Sequence, residues 1–139
     1  MKPDKFFLNC CKSCEGKCCK PGGVYITQKE YEKIDKDSKK GLEKHLFGFR
    51  TILNKECIFL NKKGCTLGKN RFLECKLYPF EIRGIKKLVL KKECPYHEVY
   101  DNKDFLKQAY ELFDKYKKEG IFSKKDVIGI LNNSFPDKL

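Results

Sequence analysis

The sequence Cys11-Lys12-Ser13-Cys14-Glu15-Gly16-Lys17-Cys18-Cys19 places four cysteines within nine residues near the start of the chain. Cys11 and Cys14 are two residues apart, a spacing at which a tight turn directs two sulfurs toward one metal ion. Gly16 relieves backbone crowding and leaves N–H groups able to approach the sulfurs, which bind metal as thiolates. We therefore predict a metal loop here and a fold that depends on cysteine ligands.

Four further cysteines follow in short turns and elements, so the sequence predicts eight metal ligands. These are Cys11, Cys14, Cys18, Cys19, Cys57, Cys65, Cys75 and Cys94. The side chains of the adjacent pair Cys18 and Cys19 diverge in extended backbone, which suggests either two sites or one cluster of four thiolates with the others structural or redox-active. Spacing alone does not assign sulfurs to sites. We interpret Cys10, the ninth cysteine, as a bystander.

Length and cysteine usage restrict the class of protein. A chain of 139 residues with 40% hydrophobic content suits one domain, 1–139, which we divide into a cysteine-cluster region at 7–97 and a helical extension at 100–134. The sequence has no apolar stretch near the roughly 18 residues that span a bilayer, and its first residues do not look like a signal peptide. We expect a cytoplasmic protein without membrane contact, whose reduced thiols favour metal over disulfides.

The net charge of +12 suggests nucleic acid as a partner, but the composition argues against it. Arginine, the side chain that binds phosphates and bases in a bidentate manner, provides only three of the 31 basic residues. Each site of four thiolates around zinc also cancels about two positive charges. We therefore expect a metal ion or cluster as the partner, and leave a protein partner as an alternative.

The remaining pattern predicts an α+β fold. A strand at 24–26 leads into a helix opened by the capping box of Thr27 and Glu30, and a second helix is predicted over 39–50. Further predicted elements are listed here in chain order: a hairpin over 57–67, helical turns over 71–78, a hairpin over 80–92, an amphipathic helix over 105–116 closed by Gly120, and a last helix capped by Ser123 and Asp126. The second helix would face inward through Leu42, Leu46 and Phe49.

Other candidate site residues are less specific. His97 follows Cys94 by three residues and is either a ligand of the same metal or a surface imidazole. We interpret His45 as packed or solvated, Glu74 as a helix surface carboxylate and Tyr78 as a core aromatic. Standard catalytic motifs are absent from the sequence, so it leaves open whether the protein is an enzyme.

The ordered set of motifs resembles the YkgJ-type cysteine-cluster family, whose domain is described as chelating zinc or iron. The resemblance spans residues 7–97. Phe72 and Lys76 depart from the residues usual in that family, and neither is a cysteine. The motifs that carry the resemblance are Cys11-x2-Cys14-x3-Cys18-Cys19, Val24-Tyr25-Ile26-Thr27, Cys57-Ile58-Phe59-Leu60, Gly64-Cys65-Thr66, Arg71, Cys75-x2-Tyr78-Pro79-Phe80 and Cys94.

The resemblance implies a chelating function and one mechanism. The flagellin lysine methylase, a much longer relative, carries a similar cysteine region. In that enzyme the region is associated with an iron-sulfur cluster that acts with S-adenosylmethionine in methyl transfer, and the resemblance implies the same kind of cluster here. We favour a 4Fe-4S cluster over zinc, because the many lysines suit an anionic cluster and the uneven cysteine spacing differs from a zinc ribbon.

Two other hypotheses remain. One is a cluster-dependent enzyme of the methyl- or electron-transfer type, with a pocket lined near residues 75–80. The other is a zinc-stabilised adaptor for a protein or nucleic acid. Exposed apolar surface from Leu106 to Phe113 would favour the adaptor's protein version.

Overall fold

The computed structural model describes residues 22–52, 55–61, 64–91 and 97–133, where short helices alternate with short antiparallel strands. These ranges form an α+β fold, as predicted. Six of the nine cysteines lie outside them: Cys10, Cys11, Cys14, Cys18, Cys19 and Cys94.

The strands form three small antiparallel sheets within the described ranges. In the three-stranded sheet, β3 lies between β1 and β2, and two hairpins, β4-β5 and β6-β7, form the others. The strands are β1 (Tyr25–Ile26), β2 (Leu42–His45), β3 (Gly48–Thr51), β4 (Leu60–Asn61), β5 (Gly64–Cys65), β6 (Phe80–Gly84) and β7 (Lys87–Leu90). The helices are α1 (Gln28–Glu32), α2 (Lys36–Lys39), α3 (Leu73–Leu77), α4 (His97–Tyr100), α5 (Lys103–Lys118) and α6 (Lys124–Asn133), with a 3-10 turn at Gly68–Asn70.

The capping box at the start of α1 is confirmed. The Thr27 hydroxyl accepts a hydrogen bond from the backbone N–H of Glu30, and a Glu30 carboxylate oxygen accepts one from the backbone N–H of Thr27, both at 3.1 Å. These two bonds satisfy donors that the first turn of a helix otherwise leaves without partners. The predicted strand before this helix is also present as β1.

The predicted helix over 39–50 is wrong. The chain instead leaves α2 after Lys39 and forms the β2-β3 hairpin, with Leu46 in its turn at a φ of 42°. Gly48 permits this arrangement, because a Cβ there would lie 2.5 Å from both the Ile26 carbonyl oxygen and the Tyr25 hydroxyl. Leu46 is 50% exposed instead of inward, whereas the Phe49 ring stacks on Tyr31. Close packing of β3 against β1 therefore overrides the helical spacing of the apolar residues.

The larger group of buried apolar residues, which we call the first cluster, joins α3 and the β6-β7 hairpin to the C-terminal helices. The Tyr25 side chain reaches it from β1, and its hydroxyl donates to the Asp126 carboxylate on α6 at 2.6 Å. Burial and this bond raise the pKa of Tyr25 well above its usual range, so the hydroxyl keeps its proton. The buried members of the first cluster are Tyr25, Leu73, Leu77, Phe80, Ile82, Leu88, Tyr100, Ala109, Leu112, Phe113, Phe122, Val127 and Ile130.

The two C-terminal helices form as predicted and pack on the rest of the chain. Gly120, at a φ of 72°, follows the end of α5, and Asp126 accepts from the backbone N–H of Ser123. On α5, Leu112 and Phe113 are buried while Leu106 is 37% exposed. Most of the apolar face of α5, which an adaptor would present to a protein partner, is therefore packed inside the protein itself. Of the helices in the described ranges, none combines the length and apolar character needed to cross a membrane.

The contact between α6 and β1 can be tested by Gly129→Ala. In an ordinary helix this change stabilises by about 0.5–1 kcal/mol, but here the new Cβ would lie 2.5 Å from the Tyr25 ring. We expect the free energy of unfolding to fall by about 1–3 kcal/mol in urea denaturation, because the core is overpacked. Lys124→Ala, at an exposed position of the same helix, is the control. A rise in stability for Gly129→Ala would contradict this packing.

Candidate metal centre

The three described cysteines pack around one smaller apolar group, which we call the second cluster. Its buried members are Ile26, Cys57, Phe59 and Phe72, and Cys65 and Cys75 pack against it while partly buried. Cys57 lies just before β4, Cys65 lies in β5 and Cys75 lies on α3, so folding brings them to one region.

The predicted hairpin carries Cys57 and Cys65 to the second cluster. The backbone N–H of Leu60 donates to the Cys57 carbonyl at 3.0 Å, and Leu60 pairs with Cys65 across β4 and β5. A further bond from the Thr66 N–H to the Phe59 carbonyl, at 2.7 Å, closes the open end of the hairpin. The hairpin is thus confirmed, although its strands are shorter than the range 57–67.

Cys75 lies on α3, a helix of five residues that separates the two clusters. Leu73 and Leu77 of this helix belong to the first cluster, whereas Cys75 packs against the second. The N-cap residue, Phe72, provides no side-chain cap. A helix this short does not persist alone, so its position depends on contacts from the rest of the chain.

Two glutamates supply those contacts. A Glu30 carboxylate oxygen accepts from the backbone N–H of Leu73 at 2.8 Å, and a Glu74 carboxylate oxygen accepts from the backbone N–H of Tyr25 at 2.9 Å. Glu30 thereby joins α1 to the start of α3, and Glu74 joins α3 to β1. The interpretation of Glu74 as a surface carboxylate is wrong, because its carboxylate turns toward β1 and satisfies a strand N–H.

The two carboxyl groups have perturbed pKa values. Burial raises the pKa of Glu74 to about 7, against the opposing effects of the Tyr25 N–H and the Lys91 ammonium. Burial also raises the pKa of Glu30, opposed by hydrogen bonds from Thr27 and Leu73 and by the Lys76 ammonium. Both groups therefore carry a desolvation cost that their hydrogen bonds offset only in part.

The described cysteines do not by themselves form a complete metal site. Within 22–52, 55–61, 64–91 and 97–133, no group of three or more His, Cys, Asp or Glu side chains is arranged to hold a metal ion. The other predicted ligands, Cys11, Cys14, Cys18, Cys19 and Cys94, lie outside these ranges, as does the bystander Cys10. Cysteine thiolates are nevertheless the ligands that zinc and iron-sulfur clusters bind, and the described cysteines lie against apolar residues.

The remaining candidates have mainly structural contacts. His45 lies in β2 instead of a helix, and its Nε2 is 3.0 Å from the Gly129 carbonyl oxygen, so its interpretation as a packed residue is confirmed. Tyr78 packs against the first cluster with the Lys91 ammonium over its ring, which confirms a core aromatic. His97 begins α4, and the position of its side chain lies outside what the structure describes.

Sequence reasoning missed a cavity of about 500 Å³ close to these elements. Residues of α1, α3 and α5 line it, and Arg71 and Lys76, which also line it, are almost fully buried. It shares only Lys76 with the pocket predicted at 75–80, and no described cysteine lines it. The sequence shows Arg71 and Lys76 near a run of apolar residues, which was the available sign of a cavity. It does not reveal that both side chains are buried.

Residues 10–112 match a family model described as "CxxCxxCC: Putative zinc- or iron-chelating domain". Because this match covers well over half of the chain, the protein belongs to the family of CxxCxxCC cysteine-cluster domains. The resemblance found in the sequence is thus confirmed, and the description supports metal binding by zinc or iron chelation. Neither the curated proteins nor the solved structures include a significant match to this chain.

The bridging role of Glu30 can be tested by Glu30→Gln. Glutamine has one acceptor oxygen, whereas Glu30 uses both carboxylate oxygens to accept from backbone N–H groups. We expect the free energy of unfolding to fall by about 1–3 kcal/mol, because one buried N–H loses its acceptor. Glu32→Gln, at an exposed position of the same helix, should change it by less than about 0.5 kcal/mol. Equal effects of the two changes in urea denaturation would refute the bridge.

Proposed function

We propose that this protein is a cytoplasmic, single-domain iron-sulfur protein that holds a 4Fe-4S cluster through its cysteines. The proposed ligands come from the set Cys11, Cys14, Cys18, Cys19, Cys57, Cys65, Cys75 and Cys94. The observation that carries the proposal is the convergence of Cys57, Cys65 and Cys75 on the second cluster. Zinc in the same framework is the alternative.

Cys18 and Cys19, the end of the first cysteine group, are within reach of this region. Gly22 packs against the chain before Cys57, because a Cβ at Gly22 would lie 2.2 Å from the Ile52 carbonyl oxygen and 2.3 Å from that of Lys55. Cys19 is three residues from Gly22, so their Cα atoms are at most about 11 Å apart. Covalent geometry therefore allows Cys18 and Cys19 to approach the second cluster.

Cys94 is constrained in a similar way. The backbone N–H of Lys91 donates to the Pro79 carbonyl at 2.7 Å, and Pro79 is four residues after Cys75. Cys94 follows Lys91 by three residues, which again limits their Cα separation to about 11 Å. Covalent geometry therefore also allows Cys94 to approach the segment that carries Cys75.

The surroundings favour a cluster over a plain zinc site. Phe59 and Phe72 supply an apolar shell beside the cysteines, and such a shell limits water access and tunes the potential of a redox centre. The excess of lysines also suits a 4Fe-4S cluster, because the cluster together with its thiolate ligands carries negative charge. When bound, a 4Fe-4S cluster supplies one-electron transfer, or an open iron position for activating a substrate. A cluster-dependent enzyme of the methyl- or electron-transfer type is the second candidate; of the residues 75–80 predicted to line its pocket, Lys76 lines the cavity beside α3.

Replacing single cysteines tests the ligand assignment. Cys57→Ser and Cys75→Ser should each lower the iron and acid-labile sulfide per chain by at least about half, because hydroxyl is a poor substitute for thiolate. Cys10→Ser is the matched control and should keep the full content. The metal content of protein purified without oxygen is the measurement, and full loading of both Cys57→Ser and Cys75→Ser would remove these residues from the site.

Metal removal tests the coupling of the centre to folding. Chelation should reduce amide protection around the second cluster, as at Phe59 and Phe72, more than in α5 on the first cluster. Hydrogen exchange with and without metal is the measurement. Unchanged protection throughout the chain would contradict a metal that organises this region.

A further inference from the structure

The outer edge of β2 has no strand partner in the described part of the chain, because β2 ends the three-stranded sheet. The Thr51 N–H donates to Val24 instead of β2, so the facing pair of Leu42 and Thr51 shares no hydrogen bond. Because bonded and non-bonded pairs alternate along an antiparallel ladder, Leu42 and Lys44 direct their backbone N–H and C=O groups away from β3. Within the described ranges these groups have no other backbone partner. They form an open edge onto which an extended segment can pair.

The turn that follows β2 consists of two exposed apolar residues. Leu46 is 50% exposed and Phe47 is 45% exposed, although two-residue hairpin turns usually contain glycine, asparagine or aspartate. Leu46 also has a φ of 42°, in the left-handed region that is unfavourable for a bulky side chain. Neither burial nor backbone preference therefore accounts for these two residues.

Two further exposed apolar side chains lie near the ends of β2. A Cβ at Gly41, the residue before the strand, would lie 3.0 Å from the Cδ1 atom of Ile58. At the other end, the Nε2 atom of His45 is 3.0 Å from the carbonyl oxygen of Gly129, which follows Ile128. Four of the seven exposed large apolar side chains in the described ranges are thus found around β2. Such a concentration is typical of an interaction surface.

The charge around this edge is positive. The Lys44 ammonium lies 4.6 Å from the centroid of the Phe49 ring, and the Lys125 ammonium lies 6.0 Å from that of the Phe47 ring. In the part of the chain that the structure describes, neither ammonium has an ion pair with a carboxylate. The Glu43 carboxylate in the same strand is already in a salt bridge. The edge therefore favours an acidic partner and disfavours pairing with a second copy of itself.

We propose that β2 binds an extended acidic segment of a partner protein, which pairs with Leu42 and Lys44 as a fourth strand of this sheet. The acidic side chains of the segment lie near Lys44 and Lys125, and its apolar side chains pack against Leu46 and Phe47. This inference goes beyond metal binding and does not rest on it, because none of these residues is a cysteine. Leu42 also packs against the second cluster, so the bound segment lies beside the described cysteines.

Calorimetric titration of the full, metal-loaded chain with model peptides tests the proposal. The first peptide alternates glutamate with valine over about eight residues, enough for one strand. A second peptide has lysine in place of glutamate, and a third has proline in place of valine, which keeps the negative charge but prevents strand pairing. We expect saturable binding of the first peptide with a Kd below about 1 mM, and binding weaker by at least about tenfold for the other two. No saturable binding of the first peptide up to about 5 mM, or equal binding of the proline peptide, would overturn the proposal.

Variants of β2 and its turn locate the binding. Phe47→Ser should weaken the first peptide by about fivefold because an apolar contact is lost, whereas Val99→Ser, at an exposed position of α4, should leave it unchanged. Lys44→Gln should weaken it by about twofold to fivefold, and Lys107→Gln, an equal loss of charge at an exposed position of α5, is its control. Lys44→Pro also removes the outward N–H and should weaken the peptide by about a further threefold.

Equal effects of Phe47→Ser and Val99→Ser, or of Lys44→Gln and Lys107→Gln, would overturn the assignment to β2. These two comparisons decide the matter even where Lys44→Pro does not fold. Circular dichroism and metal content on each sample establish that the variants compared are folded and equally loaded. Peptide binding by protein that holds zinc instead of a cluster would still support the docking edge, so its outcome is separate from that of the metal proposal.

Discussion

The position of α3 is the constraint on which the rest of the structure depends. This helix has only five residues, yet Leu73 and Leu77 belong to the first cluster and Cys75 packs against the second. Two carboxylates fix it, since Glu30 accepts from its first N–H and Glu74 accepts from β1. Each of these bonds satisfies a backbone N–H and joins α3 to another element, which suits a helix too short to be stable alone.

This arrangement divides the protein into a supporting part and a metal-binding part. The C-terminal helices, the β6-β7 hairpin and Tyr25 build the first cluster, which contains none of the described cysteines. The second cluster contains three of them with a small aromatic shell. In our proposal the first cluster is stable without metal and holds α3 in place, while the second depends on metal to bring its thiolates together.

Local features were predictable from the sequence, and long-range contacts were not. The capping box of Thr27 and Glu30 and the glycine end of α5 involve neighbouring residues, so the sequence indicated them directly. The helix predicted over 39–50 failed because the pairing of β3 with β1 and the space around Gly48 are tertiary effects. Glu74 was misread for the same reason, since its partner is 49 residues away. The cysteines were identified by type and spacing, but their common location requires the fold.

The most direct test is the metal and sulfide content, with the visible spectrum, of protein purified without oxygen. The account predicts a brown protein that contains iron and acid-labile sulfide in equal amounts and absorbs broadly through thiolate-to-iron charge transfer. A colourless protein with stoichiometric zinc would contradict the cluster and leave the cysteine framework as a zinc site. A protein without stoichiometric metal would contradict the account as a whole.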